Sequence, residues 1–154
     1  MSGMKMTERF FFCLFAHIAV TFFCCPDSKA ESLLSSVQVS VEDGLPHTDV
    51  SAITQDTKGY IWIGTYSGVC RYDGVSIVSY DQVNSGLEGS RVTALLCTSS
   101  GLLFIGTETA GISVLDTRTG SFLKPVNVPM NYVNTITEGP DGQVWIGTKD
   151  GDSR

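Results

Sequence analysis

The chain has 154 residues, enough for one domain with a buried core, and combines 16 glycines with only 17% charged residues. That balance favours all-β structure over helices. Its formal charge is −6, and its basic residues never cluster along the chain, which excludes a nucleic-acid phosphate backbone as the default partner.

The first predicted element is a signal helix within residues 1–30. Lys5 and Arg9 precede an apolar run from Phe10 to Cys25, and Pro26-Asp27-Ser28 breaks it. Ser28 and Ala30 are small residues upstream of a cut between Ala30 and Glu31, the layout of a secretory signal that is removed. The run of sixteen residues is short of the roughly 20 that span a bilayer. Thr21-Phe22-Phe23 before Cys24 and Cys25 is too bulky for a lipidation box. Beyond this segment only Cys70 and Cys97 remain; they show neither CxxC nor metal-ligand spacing, and two buried free thiols are expected.

Residues 31–49 form a lead-in with two features: an alternating stretch, Ser36 to Ser40, suited to a strand, and Gly44-Leu45-Pro46 in a loop. One phrase then recurs. Val50-Ser-Ala-Ile-Thr with Gly59-Tyr-Ile-Trp-Ile-Gly-Thr65 is followed 42 residues later by Val92-Thr-Ala-Leu-Leu with Gly101-Leu-Leu-Phe-Ile-Gly-Thr107. A third copy, 41 residues on, reads Val133-Asn-Thr-Ile-Thr with Gly142-Gln-Val-Trp-Ile-Gly-Thr148. A period near 40 residues with short strands and regular glycines indicates propeller blades.

The first blade (50–91) is expected to hold strands near 50–55, 60–65, 69–73 and 76–80, and the second (92–132) strands near 92–97, 102–107, 112–116 and 121–124. The third (133–154) offers two strands, near 133–137 and 143–148. The fold class is therefore all-β, a partial β-propeller of about two and a half four-stranded antiparallel blades. Middle strands covered on both faces should be apolar throughout, as Ile61-Trp62-Ile63, Leu103-Phe104-Ile105 and Val144-Trp145-Ile146 are. Gly64, Gly106 and Gly147 are expected where a neighbouring backbone comes close. Lys58-Gly59, Ser100-Gly101 and Asp141-Gly142 are expected to turn the hairpins. Terminal blades expose an apolar face, so the chain alone should be marginal or prone to aggregate.

Candidate chemistry is sparse. His47 is a lone loop histidine, whereas a metal site needs several ligands. Asp56, Asp141 and Asp150 fall near turns and are expected to be solvated turn carboxylates. No phosphate loop or nucleophile motif occurs. No catalytic residue, metal ligand or cofactor is assigned. Tyr66 and Tyr132, at strand ends, are the aromatics best placed to meet a ligand, since binding residues favour loops on a rigid scaffold. Arg71 is expected to pair with a turn carboxylate.

Glu42-Asp43-Gly44-Leu45-Pro46, the Val50 and Gly59–Thr65 phrases, and Gly68-Val-Cys-Arg-Tyr-Asp-Gly74 together resemble the two-component regulator propeller repeat, over roughly residues 36 to 151. The resemblance implies a periplasmic sensor segment of a hybrid two-component system that detects an oligosaccharide. It also implies a parent protein anchored in the inner membrane, homodimeric, with further blades and downstream kinase modules. Asp152-Ser153-Arg154 stands where the family continues a strand, so a truncated parent is expected. The alternatives are a fragment of a propeller lyase or glycosidase, which would need converging carboxylates or histidines, and a gene remnant without activity.

Overall fold

In the computed structural model, residues 36–124 and 132–149 are described. The signal segment 1–30, its cut between Ala30 and Glu31, and Asp150 lie outside the described residues. From Gln38 onward the chain belongs to one compact unit. Among the described residues no helix is long and apolar enough to cross a membrane.

Ten strands follow in order: β1 (Val50–Gln55), β2 (Ile61–Thr65), β3 (Gly68–Tyr72), β4 (Ile77–Tyr80), β5 (Val92–Cys97), β6 (Leu102–Thr107), β7 (Ile112–Asp116), β8 (Ser121–Phe122), β9 (Val133–Glu138) and β10 (Val144–Thr148). They form antiparallel sheets β1-β2-β3-β4, β5-β6-β7-β8 and a β9-β10 pair. Every strand expected within the repeats is present within two residues at each end, and the strands fall into three antiparallel sheets. The stretch at residues 36–40 is an exception. It forms no strand, and the lead-in instead makes a 3-10 turn at Val41–Asp43, closed where the Ser40 N–H and hydroxyl both donate to the Asp43 carboxylate at 2.8 Å.

In the first two blades the hairpin turn is closed by a side chain matched to the aromatic that follows. In the first blade Asp56 accepts the Lys58 and Tyr60 N–H groups on one oxygen and the Trp62 Nε1–H, at 2.9 Å, on the other. Asp56 is only 6% exposed, so the expected solvated carboxylate is a buried one, because the indole needs an acceptor inside the sheet stack. The second blade carries Phe104, which has nothing to donate, and Thr98 in place of the aspartate. The Thr98 hydroxyl exchanges hydrogen bonds of 3.1 Å with the backbone of Leu102. The third blade has Gly139 at that position, and its Trp145 is 63% exposed where Trp62 is 0% exposed. Asp141 remains exposed, as expected, and accepts the Gln143 N–H.

The far ends of the middle strands share a second device. Thr65 and Thr107 are fully buried. Their hydroxyls donate to the carbonyls of Gly68 and Gly111 at 2.9 and 3.1 Å, satisfying the turn into β3 and β7.

The sheets meet through side chains. One cluster of Trp62, Val69, Leu87, Val92, Leu103, Ile105 and Leu115 lies between the first and second sheets. A second, with Ala94, Ile112, Val114, Val133 and Ile136, lies between the second and third. The glycines that recur within the repeat act here differently from the expectation. A Cβ at Gly64 would lie 2.5 Å from Cγ1 of Val92, with Leu95 at 3.3 Å. A Cβ at Gly106 would lie 2.6 Å from Cγ1 of Val133, with Ile136 at 3.3 Å. The close approach is thus by the apolar side chains that open the next blade, each seated in a glycine socket, and not by backbone. At Gly147 only Thr135 of its own sheet is near.

Register shifts recur at Val50/Ala52, at Val92/Ala94 and at Gly147/Thr148. Such bulges redirect a side chain out of the ladder. In the first blade the Ser51 hydroxyl consequently reaches both Gly64 O at 3.1 Å and Val92 O of the next blade at 2.7 Å. The repeat also extends further upstream than its core phrase: Gly44-Leu45 and Gly86-Leu87 stand equally far before Val50 and Val92, and both leucines are buried. Leu45, with Val39, lies over Ile63 and Cys70 on the outer face of the first sheet. That face is therefore partly covered by the lead-in, while Val50 and Ile53 of β1 stay 44% and 64% exposed.

Both cysteines in the sheets are free thiols. Cys70 is buried and its pKa is pushed up to about 11 by desolvation, while Cys97 is half-buried and is raised by the same cause and by the Asp56 charge. Because the thiolate is the nucleophile, Cys70 should resist alkylation at pH 8 in the folded chain and react once it is denatured. Peptide mapping after iodoacetamide treatment checks this, and native labelling at Cys70 as fast as in denaturant would contradict the packing described. The raised folded pKa also means that Cys70 favours the folded state fully below its ordinary pKa near 9 and loses that contribution as pH climbs towards 11.

Candidate functional site

The elements that stack the blades also set out a row of side chains at one end of them. The residue before each first strand and the residue after each second strand are neighbours across the hairpin. The backbone fixes them in pairs: Tyr66 N–H to Asp49 O at 3.2 Å, Glu108 N–H to Arg91 O at 3.0 Å, and Lys149 N–H to Tyr132 O at 3.1 Å. Each blade thus presents one pair of side chains beside the next blade's pair.

Chemically the row is an aromatic and charged ladder. The Arg91 guanidinium lies 5.0 Å from the centre of the Tyr66 ring of the preceding blade and donates to Glu108 Oε2 at 2.8 Å. That hydrogen bond, and then the Glu108 charge, raise the Arg91 pKa further, with smaller contributions from Tyr66 and Tyr132. Lys149 sits with its ammonium 5.3 Å from the Tyr132 ring centre. Tyr66 is 48% exposed and forms one wall of an open cavity of about 530 Å³, shared with Asp49, Ser51 and Arg91. An arginine held by a carboxylate over a ring has less rotamer freedom left to lose on binding.

His47 joins this row at its first-blade end, with its ring 5.4 Å from that of Tyr66. The Asp49 N–H donates to His47 Nδ1 at 2.9 Å. Among the described residues no three His, Cys, Asp or Glu side chains gather as a metal site.

The sequence picked out Tyr66 and Tyr132, and the structure sets Tyr66 against Arg91 and Tyr132 against Lys149. Glu108 and Lys149 were not visible as candidates, nor was Arg91 itself. The signal was present in the repeat: all three occupy the positions immediately outside the recurring phrase, where the copies differ most. Arg71 lies elsewhere. Its guanidinium stacks 4.7 Å from the Tyr60 ring centre and its Nε is buried without a hydrogen-bond partner. The expected pairing with a turn carboxylate is replaced by stacking, because Asp73 is already occupied in its own turn by the Val75 and Ser76 N–H groups.

Residues 44–67 and 127–150 match the two component regulator propeller family. Comparison with curated proteins gives no match. Among solved structures the chain is similar to the extracellular domain assigned to a hybrid two component system from B. thetaiotaomicron, with a TM-score of 0.62 and 25% identity over 71% of this chain. It is also similar to an extracellular domain assigned to a one component system of the same organism, with a TM-score of 0.54 and 27% identity over 66% of the chain. The chain spans 17% and 14% of the length of those two structures. A third likeness is to virginiamycin B lyase from Staphylococcus aureus in complex with quinupristin, with a TM-score of 0.54 and 25% identity over 70% of this chain and 39% of that one. By its stacked antiparallel sheets, its repeated phrase and these matches, the chain is a propeller segment that matches two component regulator propeller repeats at residues 44–67 and 127–150 and is similar to the extracellular domains of such regulatory systems.

Proposed function

We propose that this chain is an exported, periplasmic segment of a hybrid two-component sensor and that its ladder binds an oligosaccharide. The observation that supports the reading is Arg91, fixed between Glu108 and the Tyr66 ring beside an open cavity. Sugars combine apolar ring faces with dense hydroxyls. An exposed tyrosine supplies a stacking surface, and a pre-oriented arginine and carboxylate supply donors and an acceptor for the hydroxyls. In such a sensor the kinase modules lie beyond this segment, and the ligand signal would pass to them through further blades and the membrane.

The test is a titration of the full chain with a panel of polysaccharide fragments by calorimetry. Binding is expected to weaken roughly tenfold or more in Tyr66→Ala and in Arg91→Ala, with the far-UV circular dichroism unchanged. Failure of every glycan in the panel, or binding indifferent to both substitutions, would remove the proposal. The lyase likeness favours a second reading, a propeller enzyme. Mass spectrometry of the same mixtures distinguishes them: a sensor returns each fragment intact, and a lyase returns products with an unsaturated end.

A further inference from the structure

The open cavity between the first two blades carries an unbalanced charge. Among its lining side chains Arg91 is the cation and Asp49 the anion, but the two are not partners. Arg91 is held at 2.8 Å by Glu108 Oε2, a carboxylate outside that lining, so its charge is already met. The Asp49 carboxylate accepts no hydrogen bond among the described residues. Its side chain is 80% exposed, and its ion-pair contact is a distant one, with His47 Nδ1 at 4.0 Å.

Asp49 and Tyr66 form one rung, tied by the Tyr66 N–H to Asp49 O at 3.2 Å, so the free carboxylate stands beside an exposed ring. A carboxylate is an acceptor only. It can take two neighbouring sugar hydroxyls, one on each oxygen, and has nothing to donate to another carboxylate or to a sulfate. The Ser51 hydroxyl is already engaged, donating to the carbonyls of Gly64 and Val92. An acidic sugar unit would have to share Arg91 with Glu108 and meet Asp49 in the same cavity, and both arrangements set like charges side by side. The distant charges of the chain act in the same direction, since they total −6.

We propose that this cavity selects uncharged sugar units and that Asp49 is the residue that sets the preference. The proposal rests on the oligosaccharide reading above and narrows it to neutral glycans, against uronates and sulfated sugars. Asp49 acts twice: it accepts hydroxyls from a neutral unit, and it repels a unit that brings its own negative charge. Arg91 supplies donors to the same unit but, being neutralised by Glu108, does not offset that repulsion.

The experiment titrates the full chain by calorimetry at low salt with neutral hexose fragments and with uronate fragments. Each neutral fragment that binds is titrated again after selective oxidation of its C6 alcohols to carboxylates, which adds charge and keeps every linkage. The oxidised form should bind roughly tenfold or more weakly than its parent. That gap should shrink to about threefold or less at about 0.5 M salt, where an exposed charge is screened within a few ångströms. Asp49→Asn changes an exposed side chain and keeps the main-chain bonds of its rung, so circular dichroism should not move. At low salt it should close the gap as the added salt does. Uronate fragments that bind as tightly as neutral ones, or in their place, would overturn the proposal, as would a gap that persists in Asp49→Asn; either result leaves oligosaccharide binding itself standing. Silence from every fragment, neutral and acidic, would remove the oligosaccharide reading and this proposal with it.

Discussion

Trp62→Ala should lower the stability of the folded chain by about 3–5 kcal/mol, whereas Trp145→Ala, at the same position of the repeat, should cost well under about 1 kcal/mol in dilute solution. Both residues follow a hairpin turn and precede Ile-Gly-Thr, so intrinsic strand preference does not separate them. Their surroundings do. Trp62 is closed in by the second sheet and donates to Asp56 at 2.9 Å, while Trp145 faces outward. Removing Trp62 leaves both a cavity and a buried carboxylate with one fewer donor, and each adds to the loss. For a small domain with a few kcal/mol in hand, the first substitution approaches complete unfolding. Urea melts of the two variants at low protein concentration decide the matter, and equal losses would mean that the first and third sheets are packed alike.

Gly106→Ala should destabilise by about 1–3 kcal/mol through overpacking. A single methyl there would sit 2.6 Å from Val133 Cγ1 and 2.9 Å from its Cβ, and Val133 is itself buried, so the two sheets must part or the strand must shift. The second-site change Val133→Ala vacates the contested volume. In the double variant the alanine at 106 should cost less than it does alone, giving a favourable coupling in a double-mutant cycle. Additive losses would show that Gly106 matters for its backbone freedom and not for the socket. The distinction bears on the whole architecture, because the same socket sets the spacing of the first and second sheets at Gly64.

Most of the fold was legible in the sequence because the strands are locally specified. Ile61-Trp62-Ile63 and its two counterparts are apolar on consecutive positions, which suits a short strand packed between sheets, and Gly59, Gly101 and Gly142 adopt the positive φ angles that close the turns. What escaped was set by contacts across the period. Asp56 looks like any turn carboxylate until the Trp62 indole six residues later is seen folded back on it. The glycine sockets looked like sites of backbone approach, since nothing local says that the occupant is a valine 28 residues on in one case and 27 in the other. The alternating residues 36–40 fit a strand, but among the described residues they find no edge to pair with. Of the ladder, the tyrosines could be picked out by their type. Arg91, Glu108 and Lys149 acquire meaning only once neighbouring blades place them side by side.

The backbones of the ladder residues are paired by main-chain hydrogen bonds: Tyr66 to Asp49, Glu108 to Arg91, Lys149 to Tyr132. A substitution at any of the six therefore leaves its own anchor intact and disturbs neither socket nor core cluster. If the ladder recognises a ligand, its preference can therefore drift by replacements along the row while the stack that carries them keeps its shape.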